Sequence, residues 1–238
     1  MLVPQLPPEA LELLDDPRAA DLKYRGPTWP RDRRVLEPTD PPLKGESRFL
    51  LLSIVSERTE ILNATHWPSK APSVYSLAYN GLGALRTEQQ RFVTEVEKPE
   101  ILPLAWLSSG VFVAAPELIE VLRKHDPDAI DIVEVDWTFA DGERVEGYAF
   151  VYVRRVVQAY DWKRSRVLVE HDSKRKYIAG LGMTRALRPE LAADMHIFRD
   201  TYCLQDVFVS PQLGADLVLI GTPDLCLVDP ATMRAAKV

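Results

Sequence analysis

A chain of 238 residues, 46% hydrophobic and 27% charged, has the composition of a globular protein and can bury a sizeable core. Its formal net charge of −6 disfavours nucleic acid as a partner, because binding to phosphates needs concentrated lysine and arginine. No apolar run approaches the ~20 residues of a membrane span and no signal-peptide pattern is present, so the sequence predicts a cytoplasmic protein with no membrane partner.

Proline dominates the N-terminal segment, residues 1–45, which holds nine of the nineteen prolines in the chain. Pro8 suits the first position of a short helix. This helix should end before Pro17, because the residue preceding a proline disfavours helical geometry. The remainder of the segment, including the basic residues 31–34, is predicted as extended coil.

Beyond this segment, several stretches have the length and pattern of β-strands. Residues 48–55 form a continuous apolar run, which is typical of a strand buried on both faces. Shorter strands are predicted at residues 91–97 and 166–171. The intervening residues 63–84 form a predicted loop with three large aromatic residues, Trp67, Tyr75 and Tyr79. Such side chains can bind a partner or pack against the loop's own core.

Residues 131–157 give the clearest local pattern in the chain. Apolar and polar residues alternate on both sides of a turn at Asp141-Gly142. This pattern predicts an antiparallel hairpin. Glu134 and Asp136 should project together from its polar side.

Two segments share one order of features: an apolar triplet, a proline, a leucine two residues later, Pro-Asp and Val-Asp. The copies run from Val111 to Asp136 and from Val207 to Asp229. Each copy predicts a strand, a short helix and a second strand. In the second copy, Ser210 suits a helix N-cap, Pro211 the first helical position and Gly221 the helix end.

Together these elements predict an α+β fold with a mixed, mainly antiparallel sheet, a few short helices and two similar strand-helix-strand units. The proline-rich arm, residues 1–45, should wrap the outside. We expect residues 46–238 to form a single domain, and a division into residues 46–104 and 105–238 is the alternative.

No catalytic, cofactor-binding or metal-binding residue can be assigned from spacing, since the chain has no Cys-x-x-Cys or His-Glu-x-x-His pair, P-loop or Gly-x-Ser-x-Gly elbow. Cys203 and Cys226 occur in apolar surroundings and are interpreted as buried free thiols. An enzyme could use His196, Cys203 or His171 in a cleft between the two repeated units. Against this, His171 shares a strand face with valines, and Cys203 has no neighbouring cation to lower the pKa of its thiol.

Acidic residues are concentrated between positions 126 and 146, against a single arginine, Arg144. They form either a solvated sheet face or a complementary surface that speeds the capture of a basic partner. The candidate binding residues are Asp131, Glu134, Asp136, Asp141, Glu143 and Glu146, together with Trp67, Tyr75 and Tyr79.

Three groups of residues carry a resemblance to a known family: Val111-Phe-Val113 with Pro116-Glu-Leu118, the stretch from Tyr152 to Ser165, and Ile197-Phe-Arg199 with Val207-Phe-Val-Ser210 and Leu213. On these residues, positions of about 105–225 resemble a family of bacterial immunity proteins from polymorphic toxin systems. One departure is Tyr160 before Asp161, where the family more often has an aliphatic residue.

The resemblance implies a cytoplasmic protein that neutralises one cognate toxin in a stoichiometric complex. The toxin is delivered by a neighbouring cell during bacterial competition, for example by type VI secretion, or is made by the cell itself. The resemblance implies no enzyme activity and no cofactor. The partner is then a toxin protein, with a basic surface if the acidic residues form the interface. A cytosolic enzyme and a scaffold or regulatory module are the alternatives.

Overall fold

The computed structural model describes residues 6–24, 32–41, 47–54, 65–66, 81–83, 91–94, 104–108, 110–134, 136–139, 141–171, 175–182, 184–221 and 225–236. Three helices in these ranges begin with a proline, whose fixed φ suits the first turn: α1 (Pro8–Glu12), α2 (Pro116–His125) and α3 (Pro211–Leu219). Single 3-10 turns occur at Leu13–Asp15, Pro17–Ala19 and Pro127–Ala129.

The strands are short and run through the whole described chain. They are β1 (Arg33–Leu36), β2 (Leu50–Ile54), β3 (Thr65–His66), β4 (Arg91–Thr94), β5 (Leu104–Ser108), β6 (Val111–Ala114), β7 (Ile130–Glu134), β8 (Asp136–Phe139), β9 (Ala149–Val153), β10 (Val156–Val157), β11 (Val167–His171), β12 (Lys176–Leu181), β13 (Ile197–Asp200), β14 (Val207–Val209), β15 (Leu225–Asp229) and β16 (Arg234–Ala235).

These strands form four sheets, ordered β1-β11-β12, β10-β13-β14-β2-β15-β16, β3-β4-β8 and β5-β6-β9-β7. Among the described pairings, β10 with β13 and β4 with β8 are parallel and the others are antiparallel. The predicted α+β class with mainly antiparallel sheets and a few short helices is confirmed. The strands are divided among four sheets, whereas the sequence analysis expected one.

The two predicted strand-helix-strand units are present and have the same strand order. In the first, β6-α2-β7, the antiparallel strand β9 lies between β6 and β7. In the second, β14-α3-β15, the antiparallel strand β2 lies between β14 and β15. One more antiparallel strand flanks each unit, β5 beside β6 and β13 beside β14. The repeated sequence pattern therefore corresponds to a repeated topology.

The ends of α3 confirm the predicted capping. The Ser210 side chain accepts a hydrogen bond from the backbone N–H of Leu213 at 3.2 Å. Gly221 follows the helix with a φ of +74°, a conformation that suits glycine. In α2 the equivalent N-cap residue is Ala115, which provides no side-chain cap.

The central strands of the six-stranded sheet are buried on both faces, which explains the continuous apolar run of β2. Leu50 and Leu52 lie in a first hydrophobic cluster with α2, α3 and the four-stranded sheet. Phe49 and Leu51 lie in a second cluster on the opposite face. Successive residues of a strand point to opposite faces, so a strand between two apolar layers has no polar side.

The N-terminal segment supplies part of the second cluster. The predicted helix is present as α1, but residues 33–36, predicted as coil, form β1 and pair with β11. Ala10, Leu22 and Leu36 are buried in the second cluster. Proline spacing indicated where helices could not continue, but it gave no sign of this long-range pairing. The divisions of the chain after residues 45 and 104 stay predictions.

The predicted hairpin is present, with an irregularity at its centre. β7 pairs with β9 from Ile130 opposite Val153 to Glu134 opposite Ala149. Nearer the turn, Thr138 pairs with Arg144. Between this pair and the pair of Glu134 with Ala149, the returning strand has one more residue than the first strand. Gly147, with a φ of +77°, lies in this bulge. The continuous strand predicted through residues 133–139 is therefore two strands, and β8 also pairs in parallel with β4.

A fully buried arginine lies beside the first unit. The Nη2 atom of Arg199 donates to the Tyr152 hydroxyl at 2.6 Å, and its guanidinium carbon lies 4.4 Å from the centre of the Tyr152 ring. Burial lowers the pKa of Arg199. Gly110 is close to this side chain: a Cβ atom built on Gly110 would lie 2.0 Å from the Arg199 Cδ atom.

We expect Gly110→Ala to lower the free energy of unfolding by at least about 3 kcal/mol, because it combines a positive φ with overlap against a buried side chain. Gly142→Ala is the matched control, since Gly142 also has a positive φ (+91°) but no atom within 4 Å of a built Cβ. It should cost about 1–2 kcal/mol. Urea unfolding of both variants measures the difference, and equal losses would contradict the close approach.

Candidate functional site

The acidic candidates lie along β7, β8 and the hairpin turn. Asp131 and Glu134 are both on β7, but residues three apart on a strand project from opposite faces. Asp141, Glu143 and Glu146 are exposed around the turn. The structure therefore groups the acidic residues from 134 to 146 at the end of the hairpin, while Asp131 lies farther along β7. We call residues 134–146 the acidic hairpin.

The three aromatic candidates, Trp67, Tyr75 and Tyr79, lie outside the described residues. Their contribution to a binding surface stays a prediction.

The acidic hairpin contains five carboxylates and one cation, Arg144. The Nε atom of Arg144 lies 3.5 Å from Asp136 Oδ1, and both side chains are partly exposed. Asp141 has a local role, because its Oδ1 atom accepts the Glu143 backbone N–H at 2.9 Å across the turn. The end of the hairpin therefore has a large excess of negative charge.

Packing beneath this charge fixes the position of the hairpin. Trp137 is buried, and its ring lies edge-on to Tyr148 with the ring centres 5.9 Å apart. A Cβ atom on Gly147 would lie 2.5 Å from Pro116 Cγ, so the bulge contacts the first turn of α2 closely. Burial raises the pKa of Tyr148, and the nearby Glu117 charge adds to this.

His196 belongs to a group of polar residues where the two repeated units meet, which we call the polar joint. Its members are Lys124, His125, Asp126, Arg155, His196, Ser210 and Asp216. The Nδ1 atom of His196 lies 2.8 Å from Ser210 Oγ, and its backbone N–H donates to Asp126 at 3.0 Å. Asp126 also forms an ion pair with Arg155.

The two helices are connected through the same joint. His125 Nε2 and Lys124 Nζ each lie 2.9 Å from the Asp216 carboxylate, so the end of α2 is tied to α3. The His125 and His196 rings are 5.1 Å apart, centre to centre. Hydrogen bonds of His125 and Lys124 lower the pKa of Asp216. These contacts hold the two units together.

A serine hydroxyl beside a histidine is also the arrangement of a nucleophile with its base. Here the Ser210 hydroxyl caps α3 and the residue is only 3% exposed, so a substrate has no access to it. The sequence pattern predicted Ser210 as a cap but gave no sign of its contact with His196. Fourteen residues separate the two, and the β13-β14 pairing brings them together.

Cys203, the other residue of the enzyme alternative, lies elsewhere. It is buried in the second cluster near Asp200, Asp206 and Arg185. Burial raises the pKa of the Cys203 thiol well above its ordinary value, and the charges of Asp206 and Asp200 raise it further. The thiol is therefore protonated at neutral pH, whereas a nucleophilic cysteine needs its thiolate. Both cysteines are free, Cys203 buried and Cys226 partly buried.

The third candidate, His171, lies at the end of β11 and is partly buried. Its neighbour Glu170 accepts a hydrogen bond from the Tyr177 hydroxyl at 2.7 Å. The contacts of His196 and Cys203 described above do not include His171.

Metal-binding groups and membrane-spanning helices are two further features that could indicate a function. No group of three or more His, Cys, Asp or Glu side chains in the described part of the chain is arranged to hold a metal ion. No helix there is long and apolar enough to cross a bilayer.

Comparison with known proteins identifies a family. The sequence model of the Immunity protein family (Imm11) matches residues 38–219, which is most of the chain and reaches farther toward the N-terminus than the resemblance at residues 105–225. No curated protein matches the chain significantly.

The residues that carried the resemblance are mainly core residues. Phe198 and Phe208 stack with their ring centres 5.3 Å apart and pack into the second cluster. Ser165 donates to the backbone oxygen of Asp161 at 2.7 Å, and its Oγ accepts the Ala186 N–H at 2.9 Å. Shared residues of this kind stabilise the fold, so they do not by themselves locate a partner surface.

We expect Cys203 in the folded Cys226→Ser variant to react with Ellman's reagent at pH 8 at least about a hundredfold more slowly than a free thiol, because it is buried and protonated. Unfolding in urea should restore full reactivity. The Cys203→Ser variant, which retains the partly buried Cys226, is the control. Rapid labelling of folded Cys226→Ser would contradict the burial of Cys203 and revive a thiol nucleophile.

Proposed function

Because the chain belongs to the Immunity protein family (Imm11), we propose that it binds one cognate bacterial toxin and neutralises it in a stoichiometric complex. The family match over most of the chain is the observation that carries this proposal. The protein acts in the cytoplasm, where a toxin that has entered from a competing cell, for example by type VI secretion, would meet it. The same complex would protect the cell from its own toxin.

The arrangement of the former catalytic candidates supports inhibition by binding rather than by turnover. Cys203 has a protonated, buried thiol, and His196 is held by Ser210 and Asp126 in the polar joint. An enzyme needs at least two reactive groups that converge on one substrate. An inhibitor instead needs a complementary surface with a few anchoring residues.

The acidic hairpin is the surface we propose for toxin binding, with Trp67, Tyr75 and Tyr79 as further candidates. Its charge would attract a toxin with a basic face and speed the encounter. The close approach of Gly147 to Pro116 of α2 holds the hairpin against the domain. A surface that is already ordered loses less conformational entropy on binding.

The first experiment is co-expression with the toxin encoded beside this protein, scored by growth and co-purification. We expect rescue with a stable one-to-one complex. Cys203→Ser and His196→Asn variants that remain folded should rescue equally well, because neither residue performs chemistry. If growth is rescued without a complex, and either variant loses this rescue, the enzyme alternative is favoured instead.

The interface is tested by the double variant Glu134→Lys/Asp136→Lys. We expect toxin affinity to fall about tenfold or more, mainly through slower association at low salt. The stability of the free protein should change by about 1 kcal/mol or less, because exposed charges contribute little. Binding kinetics and urea unfolding measure the two effects.

The control is Glu190→Lys/Asp194→Lys, which makes the same change in net charge at exposed positions of another loop. It should weaken binding much less. Equal affinities for the hairpin variant and the unmodified protein would exclude the acidic hairpin from the interface without affecting the immunity function.

A further inference from the structure

Arg144 is the one basic residue of the acidic hairpin, and it is held loosely. Its side chain is 68% exposed and lies 3.5 Å from Asp136, which is 31% exposed. Exposed pairs of this kind contribute little to stability. A cation from another molecule could therefore replace Arg144 beside Asp136 at little cost.

The backbone hydrogen bonds around Thr138 place this residue directly opposite Arg144. The Phe139 N–H bonds Glu143 O and the Val145 N–H bonds Trp137 O, each at 2.7 Å. These bonds flank Thr138 and Arg144, which therefore form a non-hydrogen-bonded pair with closely opposed side chains.

Asp136 lies two residues before Thr138, so the carboxylate and the hydroxyl share one face of the hairpin with Arg144. Thr138 is only 6% exposed, and its Oγ1 atom is buried without a hydrogen-bond partner. A buried hydroxyl without a hydrogen-bond partner destabilises the protein. A ligand that supplies a donor here would recover part of that cost.

We propose that Asp136 and Thr138 form the binding site for a lysine or arginine side chain of the toxin, and that Arg144 occupies this site until the toxin displaces it. The incoming cation donates to the Asp136 carboxylate and to Thr138 Oγ1 on the same face of the hairpin. The surrounding carboxylates of Glu134, Asp141 and Glu146 concentrate cations at this face. The inference rests on the proposed function, because the toxin supplies the cation.

The first test is Arg144→Gln, assayed for toxin binding by calorimetry. Since the variant removes the competing cation, we expect the affinity to rise about three- to fivefold. The matched control is Arg123→Gln, which makes the same charge change at an exposed position on α2. It should change affinity less than twofold. Weaker binding by Arg144→Gln, or an effect equal to that of the control, would overturn the proposal.

A second test uses Thr138→Val, which keeps the side-chain shape and removes the hydroxyl. The free protein should become more stable, because a buried group without a partner is gone. Toxin affinity should fall about threefold to tenfold, because the cation loses an acceptor. A purely structural role for Thr138 predicts unchanged affinity, and that result would contradict the site.

A third measurement separates this inference from the proposed function. If no toxin complex forms, the proposed function fails. The cation site can still be tested, because a hexalysine peptide at low ionic strength offers lysine side chains to the hairpin. A cation site predicts that Arg144→Gln binds the peptide more tightly than Arg123→Gln does. Adding Asp136→Asn to Arg144→Gln should abolish this gain in affinity. Equal binding by both variants would overturn it.

Discussion

Burial of the central strands of the six-stranded sheet on both faces is the constraint on which the rest of this fold depends. Strand β2 lies at its centre, between β14 and β15, and places Leu50 and Leu52 on one face and Phe49 and Leu51 on the other. Apolar area on each face gains stability only if another layer covers it. Helices α2 and α3 and the four-stranded sheet cover the first face. The N-terminal segment and β11 cover the second face.

This architecture separates the buried motif residues from the exposed acidic residues. Phe198, Phe208 and Ser210 lie inside the layers or at their joint, although they belong to the motifs that carried the family resemblance. The acidic hairpin extends from the four-stranded sheet and is anchored by the close approach of Gly147 to Pro116.

The ion pairs near the core also differ from those of the acidic hairpin. Several carboxylates near the core have strong cationic partners, such as Asp126 with Arg155 and Asp206 with Arg185. In the acidic hairpin, the described ion pair between Asp136 and Arg144 is longer and more exposed. The pair of Asp136 with Arg144 therefore contributes little to folding.

The sequence determined the features whose causes are local. Proline and capping residues marked the starts of α1, α2 and α3, alternation marked the hairpin, and the repeated pattern predicted two strand-helix-strand units. It also located the acidic residues and the free cysteines. Only the tertiary structure decided which strand enters each unit: β9 comes shortly after the first unit, beyond β8, whereas β2 comes from far upstream of the second. Strand register also decides the pairing of β1 with β11, the Ser210 contact with His196 and the pairing of Thr138 with Arg144. Register is set by which apolar faces the whole chain can bury together, and no local pattern carries that information.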